Sequence, residues 1–142
     1  MSDLIKLPYE RTRQGIFDYV VPRLIAQGEP SATPEGMCKY RMERAGLDPL
    51  KCAAGWLIPD ERYDPIFEDS QANSTLLADT WDALGMVMHV PFIFALQDAH
   101  DNAVTDASRR PHPRPEFLPT LIANLRELAQ DFGLILPVEL LP

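Results

Sequence analysis

The sequence predicts a mainly α-helical protein. It reads as a compact single domain over residues 1–142, with about four or five helices and room for one small two-stranded β-hairpin. Three observations predict it. Apolar residues recur at helical spacing in three long segments. Hydrophobic residues make up 46% of the 142, enough for a core without disulfide staples. Stretches rich in Pro, Gly and polar residues separate the periodic segments and read as connections.

The first helix is expected over Tyr9–Gln27, carried by Ile16, Phe17, Val20, Val21 and Leu24. Pro22 inside it predicts a kink or an early end, and Gly28 a terminator. After the loop Glu29–Gly36, Met37–Met42 reads as a short strand that Gly46–Pro49 turns back toward Leu50–Ala53. Lys51–Ile58 reads as a short helix that Pro59 ends. Asp60–Ser74 is polar and turn-rich, with Asn73 or Ser74 placed to cap a helix over Thr75–His89. Leu77, Trp81, Leu84 and Met88 form its apolar face. Pro91 suits the first turn of a further helix to Asn102. Ala107–Pro115, with three prolines and three arginines, reads as an exposed connector. The last helix starts near Phe117–Pro119 and runs to Phe132, before Gly133, and Leu134–Pro142 lies extended against the body. The core is expected to contain Trp56, Leu57, Ile58, Leu77, Trp81, Leu84, Leu96, Leu121, Leu125 and Leu128.

The net charge of −8 disfavours nonspecific binding to nucleic acid and to anionic membranes. It suits a protein partner with a basic surface. No run approaches the roughly 18 apolar residues of a membrane span. Met1–Pro8 lacks the form of a secretory signal, so the expected location is the cytoplasm of a bacterial host. Cys38 and Cys52 are expected as thiols there, a disulfide remaining the alternative.

One segment is unusually dense. Cys38–Glu68 reads CKYRMERAGLDPLKCAAGWLIPDERYDPIFE. Cys38, Tyr40 and Arg41, followed by Lys51, Cys52, Ala53, Gly55, Leu57, Ile58, Pro59, Asp60, Tyr63, Pro65 and Glu68, resemble a family of small uncharacterised proteins of tailed phages and prophages. Flanking residues extend the resemblance over about three quarters of the chain: Gln27, Gly28 and Ser31 before it, and Leu96, Gln97, His100 and Asp101 after it. The turn after Arg41 departs from the Gly-rich form usual in that family. The resemblance implies a phage or mobile-element origin and no mechanism. Small phage proteins of this kind often bind host machinery stoichiometrically, host defence systems included, and that is the expected mode of action.

The candidate protein-binding surface is the acidic stretch Asp60, Glu61, Asp64, Glu68 and Asp69, with Tyr63 and Phe67 as aromatic anchors; inward packing of both rings is the plainer alternative. A homodimer is a further option. From another class comes a small hydrolase or transferase in which Cys52 is the nucleophile, His100 the base, and Asp101 or Asp98 its orienter. An acidic mimic of nucleic acid is the third reading. No cofactor or metal is expected, because thirteen residues separate Cys38 from Cys52 and the histidines are dispersed. The basic stretch Arg109, Arg110, His112 and Arg114 reads as a solvated loop.

Overall fold

A computed structural model describes residues 5–68, 70–105 and 114–141. It is mainly helical, with five helices and one two-stranded antiparallel hairpin. Helix α1 spans Arg13–Gln27. It starts four residues later than its periodicity suggests because Thr12 is the cap: its side chain accepts the Gly15 amide hydrogen at 2.9 Å. Pro22 lies inside the helix and does not end it. Gly28 does, at φ 68°, a conformation that costs a residue with a Cβ more than it costs glycine.

The hairpin is real but shifted. Strand β1 is Arg41–Arg44 and β2 is Leu47–Lys51, paired Arg41 with Lys51 and Met42 with Leu50. The reversal falls at Ala45–Gly46, with Gly46 at φ 71°, rather than at Gly46–Pro49. Helix α2, Ala53–Leu57, follows directly, and Cys52 caps it by accepting the Gly55 amide hydrogen at its sulfur. Two single 3-10 turns, Asp60–Arg62 and Pro65–Phe67, carry the chain to α3, Thr75–Ala83.

Helix α3 stops six residues before His89, the end expected from the sequence. Gly85 turns at φ 70° and a 3-10 turn occupies Val87–His89. That break takes Met88 off the apolar face and leaves it 79% exposed. Helix α4, Val90–Val104, follows with Pro91 in its first turn. Helix α5, Arg114–Phe132, is the longest. The tail then packs Leu140 into the core and leaves Ile135 and Val138 exposed.

The core is one contiguous cluster. Ile16, Phe17, Val20, Val21 and Leu24 of α1 meet Leu57 and Ile58, Leu77 and Trp81, Phe92, Ile93 and Leu96, and Leu121 and Leu125. Every residue expected in the core is buried except Trp56, which is only partly covered. No helix among the described residues is long and apolar enough to cross a membrane.

Candidate functional site

The residues of the dense segment converge on one another. Glu68 is the hub: its carboxylate accepts the Tyr40 amide at 2.9 Å, the Arg41 amide at 3.3 Å and the Tyr63 hydroxyl at 2.5 Å. Arg41 and Lys51 both bond Asp60, and the Arg41 guanidinium lies 4.7 Å from the centre of the Tyr63 ring. Gly55 is required for contact. A Cβ there would sit 2.1 Å from the Tyr40 carbonyl oxygen, far inside van der Waals distance.

The flanking residues close the same unit from the other side. Gln27 pairs with Lys51 like a strand neighbour, donating to its carbonyl and accepting its amide, each at 3.0 Å. Ser31 donates its hydroxyl to the Leu50 carbonyl and its amide to His100 Nε2, both at 3.3 Å. On α4, residues 97, 100 and 101 share a face by their helical spacing. Gln97 accepts the Ala54 amide at 2.8 Å and donates to Asp101 at 2.7 Å. His100 Nδ1 lies 2.9 Å from the same Asp101 oxygen. Loop, hairpin, α2 and α4 are thus joined by side chains to one another's backbone.

This geometry rearranges the expected Cys/His pair. Cys52 does not meet His100: its sulfur caps α2 in the core, and burial, then the Asp101 charge, pushes its thiol pKa up. Cys38 is the cysteine that joins His100 and Asp101. The three ligand-bearing atoms lie within 4.8 Å of one another. Burial, then the Asp101 carboxylate close by, pushes the Cys38 thiol pKa up. A thiol held protonated is a poor nucleophile. His100 is fully buried with both ring nitrogens engaged. Because Nε2 receives the Ser31 N–H, the ring hydrogen sits on Nδ1 and points at Asp101. A metal ion at Nδ1 would have to displace that hydrogen and break the Ser31 bond, so the cluster fits a hydrogen-bonded junction better than a ligand cage.

A cleft of about 150 Å³ opens beside this junction, lined by Cys38, Tyr40, Gln97, Asp98 and Asp101 among others. Asp98 lies on its rim, and desolvation, then the Asp101 charge, raises its carboxyl pKa. Periodicity and spacing missed Cys38 and Gln97 here. The signal that could have found Gln97 was its place at i, i+3 and i+4 with His100 and Asp101.

The acidic stretch divides. Asp60 is paired as above, and the Arg41 bond followed by the Lys51 charge lowers its pKa. Asp64 caps the second 3-10 turn by accepting the Ile66 amide at 3.0 Å. Glu68 is the hub. Phe67 is 4% exposed and packs in the core, so it offers no surface anchor. Tyr63 meets it edge-on and is half-buried. Glu61 is exposed and makes no hydrogen bond or ion pair among the described residues. Asp69 lies outside the described residues, as do Arg109, Arg110 and His112. No family model, no curated protein and no solved structure matches this chain.

Proposed function

We propose that this chain is a small acidic accessory protein of phage or mobile-element origin that acts by stoichiometric binding of a host protein with a basic surface, inhibiting a host machinery or defence system. The origin rests on the resemblance of the Cys38–Glu68 pattern. The binding mode rests on how the charges are used.

Most of the described basic side chains serve the fold. Arg11 donates to the carbonyls of Ile5 and Leu84. Arg23 donates to the Tyr19 carbonyl and stacks on its ring, and Arg126 donates to the Leu140 carbonyl. Arg41 and Lys51 bond Asp60, and Arg44 bonds Glu29 and the Asp48 carbonyl. Carboxylates do the reverse. Glu61, Asp79, Asp82, Asp98, Glu127 and Asp131 are all exposed, and none makes an ion pair or a hydrogen bond through its side chain among the described residues. Cations folded inward and anions left outward give a negative surface field that steers a basic partner and raises its association rate.

The test is capture from bacterial lysate with mass spectrometry, followed by association kinetics on the captured protein. The expected partner binds in stoichiometric amount, associates more slowly as salt rises, and associates more slowly with the Glu61→Ser chain. A partner whose association ignores both salt and Glu61 would overturn this reading.

A further inference from the structure

We propose that His100 is an acid-sensitive latch: when its ring takes up a second proton, the loop that begins at Ser31 is released from α4. The latch stands on what each ring nitrogen faces.

His100 and Ser31 are both fully buried. The Nδ1 hydrogen of His100 points at Asp101, 2.9 Å away, and its Nε2 accepts the Ser31 amide hydrogen at 3.3 Å. A ring nitrogen can accept only while the ring is neutral. Charging places a hydrogen on Nε2, and two N–H groups then face each other across the contact. Each is a buried donor without an acceptor, the costly state for a polar group.

One side of the contact must give way, and the ring is the side that stays. Asp101 accepts from Nδ1 in both charge states and sets a carboxylate beside the charged ring. Gln97 braces that carboxylate at 2.7 Å. From α5 the Phe117 ring packs on His100, 5.8 Å between centroids, and brings no charge. Cys38 lies beside the ring and Cys52 near Cys38, and burial keeps both thiols neutral.

Ser31 has fewer ties. Its hydroxyl donates to the Leu50 carbonyl at 3.3 Å. The loop behind it closes on itself, through the Lys39 amide to the Ser31 carbonyl and the Thr33 amide to the Met37 carbonyl, both at 2.8 Å. A loop closed in this way swings out as one piece when its anchor is lost, while the helices stay packed.

A second histidine in the same chain is oriented the other way. His89 Nε2 lies 2.8 Å from the Arg11 carbonyl, so it carries its hydrogen already. Charging His89 adds a hydrogen at Nδ1 and leaves that bond in place.

The test is an NMR titration of the whole chain between about pH 8 and about pH 5, the interval in which histidine ordinarily changes charge. Ring nitrogen shifts report the charge of His100. Amide exchange, divided by the intrinsic rate at each pH, reports the loop. Protection of the Ser31 amide should fall about tenfold along the His100 titration, while the Leu125 amide of α5 keeps its protection. His100→Gln, whose amide offers one acceptor and one donor and does not titrate, should hold Ser31 protection constant across the range. Ser31→Ala keeps the amide and removes the tie to Leu50, so it should move the His100 midpoint to higher pH by about half a unit. Asp98→Asn should change neither: desolvation, then the Asp101 charge, raises the Asp98 carboxyl pKa, but that group lines the cleft. The wild-type and Ser31→Ala results decide the matter even if His100→Gln does not fold. The proposal is overturned if Ser31 keeps its protection once the ring is charged, or if the ring stays neutral throughout. It is equally overturned if Leu125 loses protection at the same midpoint, or if Asp98→Asn abolishes the response.

Discussion

The α4–α5 pair and the unit built from Gln27 to Glu68 are held together by different forces. Between the helices the contact is largely apolar: Phe92, Ile93 and Leu96 pack with Phe117, Leu121 and Leu125, all buried, and Asn124 donates to the Ala99 carbonyl. In the other region the short strands and the five-residue helix cannot stand alone. Side chains reaching to backbone hold them, through Gln27, Ser31, Glu68 and Gln97, the last braced by Asp101. Apolar packing is non-directional and accepts any filling of the same volume. A hydrogen-bonded junction is directional, and losing one member strands its neighbours.

Substitutions break or sharpen that contrast. Leu125→Ala should cost about 2–5 kcal/mol, while Leu125→Met should cost less than about 1.5 kcal/mol, both read by denaturant unfolding. Gln97→Met, also close in volume, should by contrast cost about 2–4 kcal/mol, because it leaves the buried Ala54 amide without an acceptor and takes from Asp101 one of its donors, His100 remaining. A loss below about 1 kcal/mol there would mean that packing, not the junction, holds α2 to α4. Gly55→Ala should cost roughly 1–3 kcal/mol despite the better helix propensity of alanine, since the methyl meets the Tyr40 carbonyl. The same change at exposed Gly46 would report only the cost of its positive φ.

The smallest effect concerns pH. The Asp60 carboxyl pKa is lowered in the folded chain, so its contribution is present above the ordinary aspartate value of 3.8 and is lost as pH falls below it. Asp60→Asn should therefore lower stability slightly at neutral pH, by a small amount because the side chain is largely exposed, and flatten the acid limb below that value by the same amount.

The two regions were also unequally legible in the sequence. Helices α1, α4 and α5 were readable because burial on one side imposes a period on Ile16 to Leu24 and on Leu121 to Leu128. The break after Ala83 was not, since Met88 continued the period that Gly85 interrupts. In the hydrogen-bonded unit the residue types were visible and their pairing was not. Which sulfur meets Asp101 depends on where the hairpin reverses, and a one-residue difference in that reversal changes the side of the strand. The acidic stretch misled in the same way. Counting charges cannot tell Glu68, bound to two backbone amides, from Glu61, bound to nothing.

The junction of Ser31 and Ala54 with α4 also bears on the order in which the chain can fold. Both partners arrive late in synthesis: Ser31 waits for His100, 69 residues on, and Ala54 for Gln97, 43 residues on. The hairpin and α2 emerge from the ribosome after Gln27 and shortly before Glu68 but long before α4 exists to hold them, and domains whose contacts are this distant settle slowly. A nascent chain stalled before α4 should accordingly leave the hairpin amides open to hydrogen exchange, and one stalled beyond α5 should protect them. Until α4 appears, the segment from Cys38 to Glu68 has its full sequence but lacks its ties to that helix, and is open to proteases and chaperones.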